Sequence, residues 1–512
     1  MPDGRQLKPL SSGDALFLYL EREGAPLSVA AICAFEGTIS LQRCTEYIES
    51  KLPLVPRYLQ RVVTPPFNLG LPTWEDDPTF DVHNHVREIT LKYGTEAEFK
   101  AAAGRIMSSA LPRERPLWDF TLMHGLKGNR TGMVIRTHHC LADGISGVGL
   151  MKIILEPIPR SAPAPAPPLP KEKVQDQAPP VRTPSAEESL LNSWLTTADR
   201  VLTAQFELLQ MARQLIAART QNGNGDPSNA TTPGVAMPPE DLRHLIPEFG
   251  SPTQRLPFNV VCRGPQKFGW VEVSLPEIKG VKDACGSTVN DVVLTILTAA
   301  IARYAELHGV PLKNRFLRII VPVNLRSDME VGDLGNCITF LPVNVPLDVR
   351  NPRKLVSVVR ASVARARKAG TAELVGFVGT LIECIPTPLQ ALLLPLAAQL
   401  PISACNTICT NVPGPKTPLY LLENKMLSCY PYVPIGGEMG MNCAVLTYNG
   451  TAYFGFSADA HAVPDLSKLE TFAVQSFAEL RKATSVRAQR KTVPKRRAVA
   501  PATGGASLAA RA

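Results

Sequence analysis

Two adjacent histidines, followed by an acid and a glycine, are the residues whose types and spacing best suit catalysis in this sequence. They lie within residues 137–144 (THHCLADG), at the end of an apolar run over residues 133–137. Imidazole titrates near ~6.5, so a neutral histidine can accept a proton from a hydroxyl group at physiological pH. A base positioned in this way contributes about 10²- to 10⁴-fold to a rate. The order of these residues favours proton transfer by His139 over a pair of merely packed or solvated histidines.

The flanking residues predict the elements that would hold these histidines. The apolar run is typical of a buried strand, and apolar residues recur at roughly helical spacing over residues 145–155, after Asp143. A strand, a tight turn and a helix would place His139 at the end of a rigid element, and a hairpin would join this strand to residues 116–123. Adjacent side chains of a strand point to opposite faces, so His138 and His139 cannot easily share a metal ion.

Composition and charge restrict the class of protein. Of the 512 residues, 45% are hydrophobic and 19% are charged, which is typical of a globular chain with roughly two to four domains' worth of core. The net charge is +9, and residues 481–512 carry nine Lys and Arg and no Asp or Glu. The rest of the chain is therefore neutral on balance, and the basic composition does not imply nucleic-acid binding.

Cysteine usage and the N-terminal residues bear on the compartment. The 11 cysteines are an odd number and are scattered without metal-ligand or CxxC spacing. Several lie inside apolar runs, where a reduced thiol behaves as a small hydrophobic group. A reducing cytosol is the simplest compartment for such a chain, and the first ten residues contain no apolar core of a signal peptide.

A shift in composition divides the chain. After residue 156 the sequence becomes rich in Pro, Ala, Lys and Glu, a composition that cannot pack a core. We expect an N-terminal domain over residues 1–156, a linker with an apolar helix over 157–250, a C-terminal domain over 251–480 and a basic disordered tail over 481–512.

Two apolar segments and the tail leave alternatives open. The segment 190–218 has near-helical apolar spacing, which suits either a packed scaffold helix or a lipid-facing helix. The segment 374–400 is more apolar, but three prolines and Glu383 interrupt it, so no clean span of ~20 residues remains and a broken lid or channel wall fits better. The basic tail is either solvated or attracted to anionic lipid.

A second pair of polar residues lies at the start of a long apolar helix. We expect this helix to begin near residue 288 and to run to about His308. Asn290 and Asp291 occupy positions where helix N-caps are common, so ordinary capping is one explanation for them. Asn290 could instead donate a hydrogen bond to the oxyanion of a tetrahedral intermediate. The sequence leaves these two roles of Asn290 open, and Asp291 is expected to be structural.

Several motifs together carry a resemblance to a known family. Residues 138–144 fit the HHxxxDG signature of the CoA-dependent acyltransferase superfamily, which includes chloramphenicol acetyltransferase and the condensation domains of peptide synthetases. More specifically, the chain resembles the bacterial wax ester synthase/acyl-CoA:diacylglycerol acyltransferases. The elements that match in order are PLW at 116–118, NDVVL at 290–294 and NVPGP at 411–415, preceded by Pro9-Leu10-Ser11 with Asp14 and Phe17-Leu18. The resemblance covers roughly residues 9–480, with Thr410 in place of the usual serine.

The resemblance implies both a fold and a reaction. The fold would be α/β, with two chloramphenicol-acetyltransferase-like domains, each a mixed sheet flanked by helices, and a tunnel between them. The reaction would transfer a long-chain acyl group from acyl-CoA to a fatty alcohol or diacylglycerol, giving wax ester or triacylglycerol. His139 would take the hydroxyl proton and later protonate the CoA thiolate. Acyl-CoA would be a co-substrate, with no cofactor or metal, and Cys140 would be a bystander because no acyl-enzyme is required.

The resemblance also implies supporting roles for neighbouring residues. His138 would orient the loop, Gly144 would keep the backbone close to the substrate, and Asp143 would be structural. A buried carboxylate needs a cationic partner or hydrogen-bond donors. Arg326 and Arg61 are both candidates for pairing with Asp143, and the family pattern does not choose between them.

The long apolar substrates of the family imply a location and leave two other functions open. We expect a cytoplasmic protein attached peripherally to a membrane or a lipid droplet. One alternative is an acyltransferase of the condensation type that acts on another hydroxyl acceptor. The other is a non-catalytic lipid-droplet binding protein that has kept the fold, and the intact His139 argues against it.

Overall fold

The computed structural model describes six long segments of the chain. They are residues 8–142, 144–160, 253–324, 338–368, 384–399 and 405–488, together with residues 198, 201–203, 205 and 382. Asp143, Arg326, most of the predicted linker at 157–250 and the tail beyond residue 488 lie outside the described residues, so the predictions made for them stay predictions.

Strands and helices are interspersed along the described parts of the chain. The strands are β1 (Lys8–Pro9), β2 (Ser28–Glu36), β3 (Gln60–Val63), β4 (Thr73–Asp76), β5 (Val86–Thr90), β6 (Trp118–Leu126), β7 (Arg130–His138), β8 (Gln266–Ser274), β9 (Phe316–Asn324), β10 (Ile338–Pro346), β11 (Thr407–Pro413), β12 (Tyr420–Leu421), β13 (Asn424–Tyr432), β14 (Met441–Tyr448) and β15 (Thr451–Asp459). The helices are α1 (Ser12–Leu20), α2 (Leu41–Lys51), α3 (Glu96–Met107), α4 (Gly144–Ile154), α5 (Leu275–Cys285), α6 (Val289–Leu307), α7 (Pro352–Lys368), α8 (Thr387–Ala397) and α9 (Leu466–Ala483).

The histidine strand β7 lies inside a mixed six-stranded sheet of order β12-β13-β2-β7-β6-β5. It pairs antiparallel with β2 on one side and with β6 on the other, and all its residues after Arg130 are buried. The predicted hairpin with β6 is present, although its strands extend to Leu126 and from Arg130, so the turn is shorter than the predicted loop. Gly128 and Asn129 turn the chain there with positive φ angles of 84° and 51°, which glycine and asparagine adopt most readily.

A buried ion pair holds β7 against its neighbours close to the histidines. Arg136 is 2% exposed, and its Nε and Nη2 donate to the two carboxylate oxygens of Asp119 at 3.0 and 2.6 Å. Its Nη1 donates to the carbonyls of Ile106 and Ser109, at the end of α3. Because a buried charge is tolerated only when it is paired and hydrogen-bonded, this arrangement fixes the position of the strand three residues before His139.

A second mixed six-stranded sheet, of order β10-β9-β11-β14-β15-β8, forms the other half of the fold. Its strand β11 runs parallel to both β9 and β14, while the other pairs are antiparallel. The helices α5, α6, α7 and α9 pack with this sheet around one apolar core. The predicted α/β class, with two mixed sheets flanked by helices, is confirmed.

The strands do not divide between the two sheets as the predicted domain boundaries suggest. β12 and β13 follow residue 251, yet they belong to the first sheet, where β13 pairs antiparallel with β2. Cys429 lies opposite Cys33, and their sulfur atoms are 3.4 Å apart. Without β13 the edge of β2 would expose unpaired backbone groups, so the C-terminal half of the chain completes the N-terminal sheet.

The predicted start of the tail at residue 481 is too early. Helix α9 continues to Ala483, with Leu480 buried at 1% exposure. Arg481 donates to Glu277 on α5 at 2.7 Å, which holds the last turn of the helix against the core. The helix continues because its final turn still has a buried residue and an acidic partner.

The apolar segment predicted at 374–400 contains a short helix. Of this segment the structure describes residue 382 and residues 384–399, which include α8. Among the described residues, no single helix is long and apolar enough to cross a membrane, and only the pair α5 and α6, bent by 99°, passes on length and composition.

Candidate active site

A large apolar cavity lies between the two sheets and encloses about 950 Å³. One wall comes from the first half of the fold, namely α1, the start of β2, the end of β7 and α4. The opposite wall comes from the start of α6 and from β9, β11 and β14. Residues 431–439, which begin in β13 of the first sheet, also line the cavity. Side chains from both halves of the chain therefore meet around a single internal space.

His139 lies on the wall of this cavity, in the turn that follows β7. Its backbone N–H donates to the carbonyl of Leu27 at 2.9 Å, which fixes the turn against the start of β2. The imidazole stacks on the ring of Phe17, with the ring centres 3.9 Å apart and the planes 11° from parallel. The imidazole lines the cavity, and its Nδ1 atom is buried.

His138 points away from the cavity into the protein, where it is 1% exposed. The backbone N–H of Cys140 donates to its Nδ1 at 3.2 Å, so that nitrogen carries a lone pair and the proton lies on Nε2. Nε2 in turn lies 3.3 Å from a carboxylate oxygen of Glu21. The two histidines thus face opposite sides, as strand alternation predicts, and this geometry suits a role of His138 in holding the turn.

Glu21, just after α1, anchors the buried histidine, and sequence reasoning missed it. Its carboxylate, 5% exposed, accepts hydrogen bonds from the backbone N–H of Leu27 and from Arg113, both at 3.0 Å. Burial alone would raise the pKa of Glu21, but the close approach of His138 and the hydrogen bonds from Leu27 and Arg113 outweigh burial and lower the pKa to about 2. No local pattern around residue 21 indicates this role, because its partners are distant in sequence.

Replacing Glu21 with glutamine is expected to destabilise the protein at neutral pH. Since the folded-state pKa of about 2 lies below the ordinary 4.5, the ionised group stabilises the fold above pH 4.5, and that contribution is lost as the pH falls toward 2. The gap between the two pKa values corresponds to about 3 kcal/mol. Urea unfolding midpoints of Glu21→Gln and wild type should therefore differ at pH 7 and converge in acid.

The exposed neighbour Glu23 offers a matched control for this prediction. The same substitution, Glu23→Gln, removes a carboxylate two residues away and should leave the urea midpoint unchanged at both pH values. A difference between Glu21→Gln and wild type that stays constant from pH 7 to pH 3 would contradict the proposed ionised anchor.

Asn290 also lines the cavity, on the wall opposite His139. It does not cap the helix: Thr288 and Asp291 form a reciprocal capping box, with hydrogen bonds of 2.8 and 3.1 Å. The side-chain N–H of Asn411 donates to Oδ1 of Asn290 at 3.5 Å, which leaves the amide N–H₂ of Asn290 as a donor. Of the two roles left open by the sequence, capping is therefore taken by other residues.

Cys140 is placed as a bystander would be. It is 3% exposed and does not line the cavity, although it follows His139 directly. Burial raises the pKa of its thiol well above the ordinary value, and the nearby carboxylates of Asp14 and Glu21 raise it further. A thiolate nucleophile needs the opposite surroundings.

The remaining predicted residues are placed only in part. Gly144 begins α4 directly after the histidine turn. Arg61 lies on β3 opposite Glu75 and does not line the cavity, while Asp143 and Arg326 lie outside the described residues, so the choice of partner for Asp143 stays a prediction. Among the described residues, no group of three or more His, Cys, Asp and Glu side chains could hold a metal ion.

Two family models match this chain along most of its length. The wax ester synthase/diacylglycerol acyltransferase catalytic domain matches residues 10–293, and the C-terminal domain of the same family matches residues 334–481. The chain belongs to the wax ester synthase/diacylglycerol acyltransferase family. As a member of this family it is an acyltransferase, as the histidine motif and the ordered elements around it predict.

Known proteins similar to this member of the family include two from Mycobacterium tuberculosis. The probable diacylglycerol O-acyltransferase tgs1 is 26% identical over 470 residues, which cover 90% of this chain and 93% of that protein. The probable diacylglycerol O-acyltransferase tgs2 is 27% identical over 485 residues, which cover 92% and 98%.

Solved structures show the same fold. The wax ester synthase/diacylglycerol acyltransferase from Marinobacter aquaeolei VT8 superposes with a TM-score of 0.62 at 20% identity, covering 93% of this chain and all of that one. A starter condensation domain of rhizomide synthetase, solved in complex with C8-CoA, has a TM-score of 0.51 at 12% identity and covers 94% of this chain and 95% of its own. The predicted two-domain acyltransferase architecture is thereby confirmed.

Proposed function

We propose that this acyltransferase moves a long-chain acyl group from acyl-CoA to the hydroxyl group of diacylglycerol or a fatty alcohol, with His139 as the general base. The observation that carries the proposal is the position of His139, which lines an apolar cavity shared by both halves of the fold. The cavity is large enough for an alkyl chain, and its wall is predominantly apolar, as a fatty acyl group requires.

The reaction needs one proton to move twice. Nε2 of His139 removes the proton from the acceptor hydroxyl as its oxygen attacks the thioester carbonyl carbon. The tetrahedral intermediate then collapses and the C–S bond breaks. The leaving CoA thiolate takes from the imidazolium the proton that came from the acceptor hydroxyl. The ester and free CoA are the products, and His139 ends neutral, ready for the next cycle.

Two neighbouring features support this role of His139. The stacked ring of Phe17 and the backbone hydrogen bond to Leu27 hold the imidazole in one orientation, which a proton-transfer base needs. Across the cavity, the amide N–H₂ of Asn290 is a donor that would stabilise the negative oxygen of the tetrahedral intermediate.

A donor and acceptor assay tests the proposed reaction. Purified protein should release free thiol from palmitoyl-CoA only when 1,2-dioleoylglycerol or hexadecanol is present, with triacylglycerol or wax ester formed in equal amount. Release with short hydrophilic alcohols alone would favour another acceptor class. No release with any acceptor would refute the proposed function.

We also propose that the protein is cytoplasmic and attaches peripherally to a membrane or lipid droplet through α8 and the turn Pro66–Asn68, which packs against it. Helix α8 buries its polar side and exposes its apolar side, since the polar Thr387 and Gln390 are buried. Its exposed large apolar residues are Leu389, Leu392, Leu393 and Leu396, a stripe at i, i+3, i+4 and i+7, and Phe67 beside it is 82% exposed.

A lipid surface is the occupant that suits this stripe. Buried Gln390 donates to the carbonyls of Ile382 and Ile385, and Thr387 accepts from the backbone of Gly70, so packing fixes which side faces outward. Ala398, just after α8, lines the cavity. An acceptor dissolved in lipid would therefore meet the cavity next to the apolar stripe.

Replacing two leucines of the stripe is expected to weaken attachment to lipid. The double variant Leu392→Ser and Leu396→Ser should bind triolein emulsions at least tenfold more weakly in flotation assays, because each buried leucine contributes about 1.5–3 kcal/mol. Leu307→Ser removes an equally exposed leucine at the end of α6 and serves as the control. Equal binding of the two variants would contradict the assignment of this surface.

A further inference from the structure

Among the described residues, three charged side chains line the cavity besides His139, and one of the three has no partner within that part of the chain. Arg22 donates to the carbonyl of Cys262 at 2.9 Å, and Glu438 pairs with Arg255 at 2.7 Å. Within the part of the chain that the structure describes, Arg367 forms no hydrogen bond or ion pair. A guanidinium group at the wall of an apolar cavity, with no partner among the described residues, is suited to bind an anion.

The connections of the second sheet place Arg367 at one particular end of the cavity. The link between β10 and α7 is short, so α7 must run back along β10, and its last turn lies beside the start of that strand. The start of β10 pairs with the end of β9. Asn290 and Asn411 lie at this end as well, since β11 runs parallel to β9.

The other end of the cavity is different in character. It lies near the start of β11, where Cys405 and Ala398 line the wall. Ala398 directly follows α8 and its exposed leucine stripe. The cavity therefore has an end beside α8, where Arg22 and Glu438 are already paired within the protein, and a cationic end beside the last turn of α7, where Arg367 lies.

The charge around Arg367 extends beyond one side chain. Helix α7 carries six Arg and Lys and no Asp or Glu, and Arg365, Arg367 and Lys368 in its last turn are exposed. Cations in a last turn also complement the helix dipole. That effect explains their position along the helix, but it does not require a side chain to line the cavity, so the orientation of Arg367 points to a ligand.

We propose that Arg367, with the neighbouring cations of α7, binds the phosphate groups of the acyl-CoA donor. This inference rests on the proposed function and adds a direction to it: the donor enters beside α7, and the acceptor enters beside α8. The phosphate groups of CoA are too strongly hydrated to pass into an apolar cavity. They must stay at a mouth, and the cationic mouth is the one that can hold them while the acyl chain lies inside.

A pair of donors that differ only in phosphate tests this assignment. Arg367→Ala should raise KM for palmitoyl-CoA about tenfold, and Arg367→Glu should raise it further, with little change in kcat. For S-palmitoyl-pantetheine, which lacks the phosphate groups, both variants should have the KM of the wild type. Lys354→Ala removes an exposed cation from the first turn of the same helix and should leave both KM values unchanged.

Three results would overturn the assignment. One is an equal rise in KM for both donors, and another is an equal effect of Lys354→Ala. The third is weaker sedimentation of Arg367→Ala with phosphatidylglycerol vesicles at an unchanged KM for palmitoyl-CoA, which would assign the helix to an anionic membrane surface. If the wild-type protein transfers the palmitoyl group from neither donor, the proposed function itself is refuted.

Discussion

Replacing His139 with alanine is expected to lower kcat for acyl transfer from palmitoyl-CoA by about 10²- to 10⁴-fold, the usual contribution of a general base. The structure supports so large an effect because this residue lines the cavity and its ring stacks on Phe17. Thiol release in the presence of dioleoylglycerol measures the change. KM for either substrate should change little, since the imidazole acts mainly on the transferred proton.

The dependence of the rate on pH separates this role from a structural one. Wild-type activity should fall in acid, because a protonated imidazole has no lone pair to accept the hydroxyl proton, and the residual activity of His139→Ala should lack that fall. His461→Ala removes an exposed imidazole and serves as the matched control. A His139→Ala variant that unfolds at the wild-type urea concentration and retains full kcat would refute the base assignment.

Replacing Asn290 with alanine is expected to lower kcat by about 10²- to 10³-fold, as the loss of an oxyanion donor does in other enzymes. The side chain lines the cavity, and its Oδ1 is engaged by Asn411. Alanine is a strong helix former, and the capping bonds of α6 are made by Thr288 and Asp291. The urea midpoint should therefore stay close to that of the wild type while kcat falls.

The helix cap supplies the reciprocal control for Asn290. Thr288 accepts from the N–H of Asp291 at 3.1 Å, so Thr288→Ala should cost about 1 kcal/mol of stability with kcat unchanged. The two variants thus separate catalysis from folding within one helical turn. An equal fall in kcat in Asn290→Ala and Thr288→Ala would contradict the role of Asn290 as an oxyanion donor and indicate a structural one. A loss of stability in Asn290→Ala alone would do the same.

Features that depend on neighbouring residues were predictable from the sequence. The hairpin of β6 and β7, the histidine turn and the start of α6 follow from apolar periodicity, turn residues and capping, which act over a few positions. The opposite directions of His138 and His139 also follow from strand alternation. The position of His139 at the end of a buried strand therefore follows from local pattern alone, and the ordered motifs indicate the family.

Other features required contacts between distant residues. Cys33 and Cys429 are 396 positions apart, yet their strands pair, and nothing local in β13 indicates that it leaves the second sheet. Glu21 is one acid among many until folding brings it to 3.3 Å from His138. Likewise, the leucines of α8 are typical of a buried helix, and only its packing through Thr387 and Gln390 turns them outward.

The sequence by itself determined the candidate catalytic histidine, the fold class and the family, because those are set by short-range pattern and by motifs in order. Only the tertiary structure decided which wall faces His139, that Asn290 is a wall residue and not a cap, and that Arg367 lines the cavity. The physical reason is that a cavity is a property of the space between elements. Its lining depends on the strand order and helix orientation that long-range packing selects.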